Sequence, residues 1–311
     1  MKKIIFTLAI FLGLGLNNTW AKGNGAQNSE NNVRTIKSPR FARPLIEKWI
    51  EEYSKTEPGV TFQIAKGSVN QEDIDLNIVS DNNASANGLN QIVYFGETAV
   101  LPITARSSEA ARLLEGKRLN AKKLKQLFFL NEDFDEDVKK NKAFETIVVY
   151  SGSNATSVAS SFAHNFGEES SSFRGKRISG DDLFLNTAIT KDPLGVTFNA
   201  LSNVFDLKNR HVKADLSIVG LDLKKDLADT FSNNGSLDDV LQILENGKPS
   251  EIAIEKVGIV FSSTDDAVNH FLKWVLENGT KYNHEYGLLN LDNKVAQVEI
   301  DKVKNTLTAQ K

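Results

Sequence analysis

Residues 38–62, SPRFARPLIEKWIEEYSKTEPGVTF, carry a helix pattern followed by a strand pattern. Leu45, Ile46, Trp49, Ile50 and Tyr53 recur at helical spacing, with Glu47, Lys48, Glu51 and Glu52 between them. Positions three and four apart share one face of a helix, so the pattern predicts an amphipathic helix with a single buried stripe. Pro58 and Gly59 stop it, since neither continues a helix cheaply. Val60, Phe62 and Ile64 then alternate with Thr61, Gln63 and Ala65, the period of a strand. A loop feeding such a helix offers unpaired backbone N–H groups at the positive end of the helix dipole, a natural seat for an anion.

Downstream, strand-like and helix-like segments take turns. Residues 93–95 (VYF) and 99–103 (AVLPI) are short apolar runs, and 146–150 (TIVVY) is rich in β-branched residues. Further strands are expected at 196–198, 216–219 and 259–261. Helices are expected at 108–115, at 120–128 with Asn120 as N-cap and Leu124, Leu127 and Phe128 on one side, and at 158–166. A closing helix at 267–276 places Ala267, Phe271, Trp274 and Val275 on one face. The alternation predicts an α/β chain, whose ligand site lies at the carboxyl ends of strands against helix N-termini.

The first residues predict export. Lys2 and Lys3 precede an apolar run over 4–16, and Thr19-Trp20-Ala21 is an acceptable cleavage site, so 1–21 reads as a signal peptide. The run is short for a spanning helix, which needs about 20 apolar residues. Residues 22–32 (KGNGAQNSENN) read as a disordered polar leader. There is no cysteine, hence no lipid-anchored cysteine, disulfide or thiolate metal site. About 290 residues of the 311 follow the cleavage site, enough for two lobes. The formal charge of −3, which becomes −5 without the two signal lysines, argues against nucleic acid or an anionic membrane as the principal partner. It leaves room for a small anion, because a few oriented donors outweigh a diffuse charge.

Two loops gather donors suited to such a solute. Ser38 and Arg40, with Phe41, precede one helix; Ser151, Ser153, Asn154 and Thr156 precede another. An oxyanion leaves water only for several oriented N–H and O–H groups, and arginine's fork suits phosphate, sulfate or carboxylate equally. The competing reading is that Ser38 merely caps a helix and Arg40 sits in solvent. Asp73 and Asp75 could share one face of a strand, capping its end or accepting from a ligand hydroxyl. Residues 131–137 (NEDFDED) lack the spaced Gly and terminal Glu of a calcium loop. His164, His211, His270 and His284 show no paired spacing, so no metal and no cofactor is expected. Nucleophile-elbow, P-loop and dinucleotide fingerprints are absent, and no serine is paired in sequence with a histidine and an acid, so no catalytic residue is expected.

Segment by segment, the chain resembles the phosphate-type ABC-transporter substrate-binding proteins. The phrase PLIEKWIEEYSKTEPGVTF resembles their opening helix and strand, and 73–79 (DIDLNIV) their short strand at the edge of the first lobe. ETAVLPITA (97–105) is similar to their crossover strand, LNAKKLKQLFF (119–129) to a helical phrase, and VVYSGSNATSVASSF (148–162) to their strand and serine-rich anion loop. LGVTFNALSNVFDLKNRH (194–211) and FLKWVLENGTKYNHEYGLLNL (271–291) complete the series in order. The loop of this chain, Ser151-Gly152-Ser153-Asn154-Ala155-Thr156, departs from the family's SGT tripeptide, and the first loop has Ser38-Pro39-Arg40-Phe41 where hydroxyl residues are usual. Residues 67–73 are too few for the Gly/Ser-rich loop and helix usual there. The resemblance implies a two-lobed α/β periplasmic binding protein fold of type II with two hinge crossings. It places lobe one at 33–100 and 255–311 and lobe two at 101–254. It further implies a monomer in the periplasm, or secreted, that hands a small anion or other small polar solute to an ABC-transporter permease. A secreted interaction or adhesion scaffold of the same fold, without transport, is the alternative.

Overall fold

A strand stands directly ahead of residues 38–62: Val33–Lys37 is β1, a strand that its sequence VRTIK conceals. Only Ile36 in it is buried, while Arg34 reaches Asp265 Oδ2 at 2.6 Å. The computed structural model describes residues 33–67, 69–81, 90–130, 142–153, 157–231, 235–262 and 264–309. The expected signal peptide, the leader and the 131–137 loop lie outside the described residues, as do Asn154 and Thr156.

After β1 the strands are β2 (Thr61–Ile64), β3 (Leu76–Ser80), β4 (Asn90–Ala105), β5 (Val148–Gly152), β6 (Lys176–Ile178), β7 (Gly195–Ala200), β8 (Leu216–Ile218) and β9 (Ala253–Ser262). They run β2-β1-β3-β9-β4-β7-β5-β6, with β8 also paired to β4. β1 is parallel to β2 and β3, and β9 is antiparallel to β3 and β4. β5 is parallel to β6 and β7, and β4 is antiparallel to β7 and β8. The partners of β4 change at Val100, which pairs with Ala253 of β9 and with Ala200 of β7. Two halves result, β2-β1-β3-β9-β4 and β6-β5-β7-β4-β8, and they repeat one strand order. This is the two-lobed α/β arrangement, crossed once by β4 and once by the return into β9.

The helix over Arg43–Thr56 keeps its expected stripe, with Leu45, Ile46, Trp49 and Tyr53 buried. Trp49 donates through Nε1 to Gly279 O at 2.8 Å and meets Phe95 edge-on at 4.8 Å. Phe271 stacks on Phe62 at 4.2 Å, and Trp274 lies 5.6 Å from Tyr53, so the Asp266–Trp274 helix packs on this first helix. In the other half Phe128, Phe162, Phe173 and Phe198 form a separate aromatic cluster, with Phe162 and Phe198 stacked at 4.3 Å. Each such ring contributes about 1.5–3 kcal/mol by leaving water, and both aromatic groups belong to one continuous hydrophobic core.

Two expectations are corrected. The runs at 93–95 and 99–103 are one strand of 16 residues, β4, with a register shift between Tyr94 and Gly96. Glycine is required at 96, since a Cβ would sit 2.8 Å from Leu289 O and 2.9 Å from Asn283 Nδ2. The helix ending at Trp274 does not close the chain: it relaxes into a π turn over Val275–Gly279, and a helix over Asn293–Ala309 follows, burying Glu299 and Val303.

The halves also touch beside the hinge. The Leu237–Asn246 helix supplies Asp238 and Glu245. Arg210 pairs with Asp238 and donates to His284 O at 2.8 Å and Glu285 O at 3.0 Å. Glu245 Oε1 lies 2.7 Å from His284 Nε2, and Lys248 Nζ is 2.7 Å from Glu97 Oε1 on β4.

Candidate functional site

In an open α/β sheet, the crevice forms where neighbouring parallel strands send their connections to opposite faces, at the carboxyl ends. Here there are two such places, at β1 between β2 and β3 and at β5 between β6 and β7. β1 ends at Lys37 and leads into Ser38, Pro39 and a 3-10 turn over Arg40–Ala42, then the Arg43–Thr56 helix. β5 ends at Gly152 and leads through Ser153 toward the helix over Ser157–Asn165. That helix lies against β9 and β3 of the other half.

The two mouths face each other. Arg40 Nε reaches Asp181 Oδ2, in the loop after β6, at 3.6 Å. Ser202 Oγ, in the turn after β7, donates to the Phe41 carbonyl at 3.3 Å. Arg40 keeps half its side chain in water, whereas Phe41 is buried in the core. Ser38 does not cap the helix: its hydroxyl donates to Pro39 O at 3.0 Å, and the cap position is Ala42. Ser153 N donates to Ile178 O at 2.9 Å, fixing the start of the second loop to β6. Ser151 is wholly buried, and among the described residues its Oγ has no hydrogen-bond partner.

Asp75 stands apart from these groups. It immediately precedes β3, at that strand's amino end, where Oδ2 accepts from Thr35 N at 2.7 Å and Oδ1 lies 4.0 Å from Arg34 Nε. Asp265 shares this arginine and caps the Asp266–Trp274 helix. Asp75 therefore ties β1 to β3 rather than lining the mouth.

Behind the second mouth is a buried amide network that the sequence reading missed. Asn199 Nδ2 donates to Asp182 O at 2.8 Å and to Asn186 Oδ1 at 2.9 Å. Asn203 Nδ2 donates to Asn199 Oδ1 at 2.8 Å, and Asn186 Nδ2 to Asn203 O at 2.9 Å. Buried polar groups must be paired, and this closed set holds the loop carrying Asp181 against the turn carrying Ser202. Lys213 Nζ adds a bond to Asn203 O at 2.8 Å, and burial pulls its ammonium pKa down against the pull of Asp215 and Asp206. Among the described residues, no group of three or more His, Asp or Glu could hold a metal ion, and no helix is long and apolar enough to cross a membrane.

No protein-family model and no curated protein matches the chain. Solved structures do match. A Clostridium perfringens protein assigned as a phosphate ABC transporter substrate-binding protein, solved with bound phosphate, aligns at 14% identity with TM-score 0.59, over 84% of this chain and 100% of that one. An ABC-type phosphate transport receptor from Vibrio cholerae aligns at 11% identity and TM-score 0.54, over 83% and 100%. A full-length single-site mutant of BenM aligns at 10% identity and TM-score 0.51, over 86% and 73%. At these identities the likeness shows the fold, which is that of the type II periplasmic binding proteins: two α/β lobes crossed twice by the chain.

Proposed function

We propose that this protein is a binding protein, not an enzyme, that captures a small anion or other small polar solute between its two lobes. The observation that carries the reading is the meeting of the two carboxyl-end mouths, where Arg40 of one half touches Asp181 of the other. Ser38, Arg40, Ser151, Ser153, Asn154 and Thr156 would supply the donors. Lobe one is taken as 33–100 with 255–311, and lobe two as 101–254. Two fold neighbours are a phosphate transport receptor and a protein assigned as a phosphate transporter's binding protein, which supports a solute handed to an ABC-transporter permease. Export by removal of 1–21 completes the proposal, and N-terminal sequencing of the exported chain should begin at or near Lys22.

The deciding experiment is a melting screen over phosphate, sulfate, molybdate, carboxylates and sugars. A solute at 100 times its dissociation constant raises apparent stability by about 2.7 kcal/mol, a readily measured shift. A shift with one class of solute sustains the reading. No shift with any of them transfers the protein to the secreted interaction-scaffold reading.

A further inference from the structure

The second half carries another concavity, at the end of the sheet opposite the mouth. β4 is antiparallel to β7, and Thr104 pairs with Val196 near the amino end of β7. The carboxyl end of β4 therefore points away from the loops that follow β5 and β7. There Thr104 and Arg106 join Arg112, Lys117, Arg118 and Ser217 around a cavity of about 510 Å³. Among the described residues, Glu115 is the one carboxylate that lines it.

Among the described residues four cations face one acid there, in a chain whose formal charge is −3. Arg106 is fixed by its own backbone neighbourhood, with Nε donating to Ala214 O at 2.9 Å. Among the described residues, the side chains of Arg112, Lys117 and Arg118 make no ion pair and no hydrogen bond. The concavity is held by main-chain bonds rather than by those side chains: Lys117 N to Leu114 O at 3.0 Å, Leu119 N to Gly220 O at 2.9 Å and Val219 N to Pro102 O at 2.9 Å. Gly220 allows the close approach, since a Cβ there would sit 2.6 Å from Lys117 O. Like charges gathered around a concavity repel one another, and an occupant with several negative charges relieves that repulsion. Two guanidinium forks and an ammonium match phosphate or carboxylate oxygens bidentately and as a point charge.

We infer that this cavity is a second binding site, distinct from the interlobe mouth, for a free solute bearing two or more phosphate or carboxylate groups. Calorimetry on the full chain in dilute buffer, with pyrophosphate and with citrate as probes, tests it. At least one probe should bind saturably, and the Arg112→Gln/Arg118→Gln variant should weaken that binding by at least about tenfold. Lys117→Gln, a milder change, should weaken it in the same direction, and added salt should weaken it further. The inference fails if neither probe binds, or if both variants bind as the wild type does. It also fails if the affinity falls in Arg40→Ala alone, which would put the probe in the mouth. Binding to phosphatidylglycerol vesicles without binding of either probe would assign the cations to a lipid surface and overturn the free-solute site. Failure of the interlobe reading stays distinct from failure here, because Arg40→Ala reports on the mouth and Arg112→Gln/Arg118→Gln on this cavity.

Discussion

Arg40 has an acidic partner across the mouth, Asp181 at 3.6 Å, yet half of its side chain remains in water. An exposed pair of this length stabilises little, so Arg40 is available to an incoming anion at small cost. A charge-assisted hydrogen bond contributes about 1.5–3 kcal/mol, so Arg40→Ala should weaken an anionic ligand roughly tenfold to a hundredfold, measured by calorimetry. Ser153→Ala should cost less, about 0.5–1.5 kcal/mol of binding. Ser151 separates binding from folding more cleanly. Its buried hydroxyl has no partner among the described residues, a liability to the folded state, so Ser151→Ala should leave the melting temperature unchanged or raise it. If the hydroxyl serves the ligand, the same variant lowers affinity. A stability loss without an affinity loss would remove Ser151 from the site.

The elements differ in how plainly they were written. The Arg43–Thr56 helix was legible because its stripe, its Pro-Gly stop and its following strand all agree. Asn120 was legible as an N-cap, and its side chain does accept from Lys123 N at 3.0 Å. β1 was hidden because its half-buried Arg34 looks like a surface residue until Asp265, 231 positions away, pairs with it. β4 reads as two runs because Gly96, Glu97 and Thr98 interrupt its apolar pattern. In the fold Gly96 admits the Leu289 carbonyl, and the Pro102 carbonyl accepts from Val219 N at 2.9 Å. The final helix was obscured by a buried stripe that includes Glu299, kept in place by Lys302 Nζ at 2.8 Å. At the site, the two loops ahead of helices carried a local signal. Asp181 and Ser202 carried none, since Ser202 meets Phe41 across 161 residues. The amide network behind them is equally non-local, and it makes a firm prediction. Asn199→Ala orphans donors and acceptors on Asn186 and Asn203, each costing about 1–3 kcal/mol, so chemical denaturation should show a loss well above that of a surface substitution.

At the scale of the molecule, the contacts beside the hinge bear on how the halves are held together. The Arg210 guanidinium, by hydrogen bonding, holds the Asp238 carboxyl below its ordinary range against the opposing effect of burial. A carboxyl depressed in the folded state stabilises fully above its unfolded pKa of about 3.9, and that contribution is lost as pH falls through the lower folded value. Melting temperature should therefore decline on acidification below about pH 4 less steeply in Asp238→Asn than in the wild type. An identical acid limb in both would show that the pair does not bear on stability.

The long β4 and the return into β9 lie side by side, bonded to each other up to Val100 and Ala253. A single strand linking two bodies is a swivel, free to rotate about its own axis as well as to bend. Two strands riveted together form a ribbon, which flexes across its flat face and resists torsion. The rungs end at Val100 and Ala253, so at the boundary between the halves the two crossings stand as close neighbours rather than as one bonded ribbon. Two neighbouring crossings cannot twist independently, so turning one half about either strand drags the other strand with it.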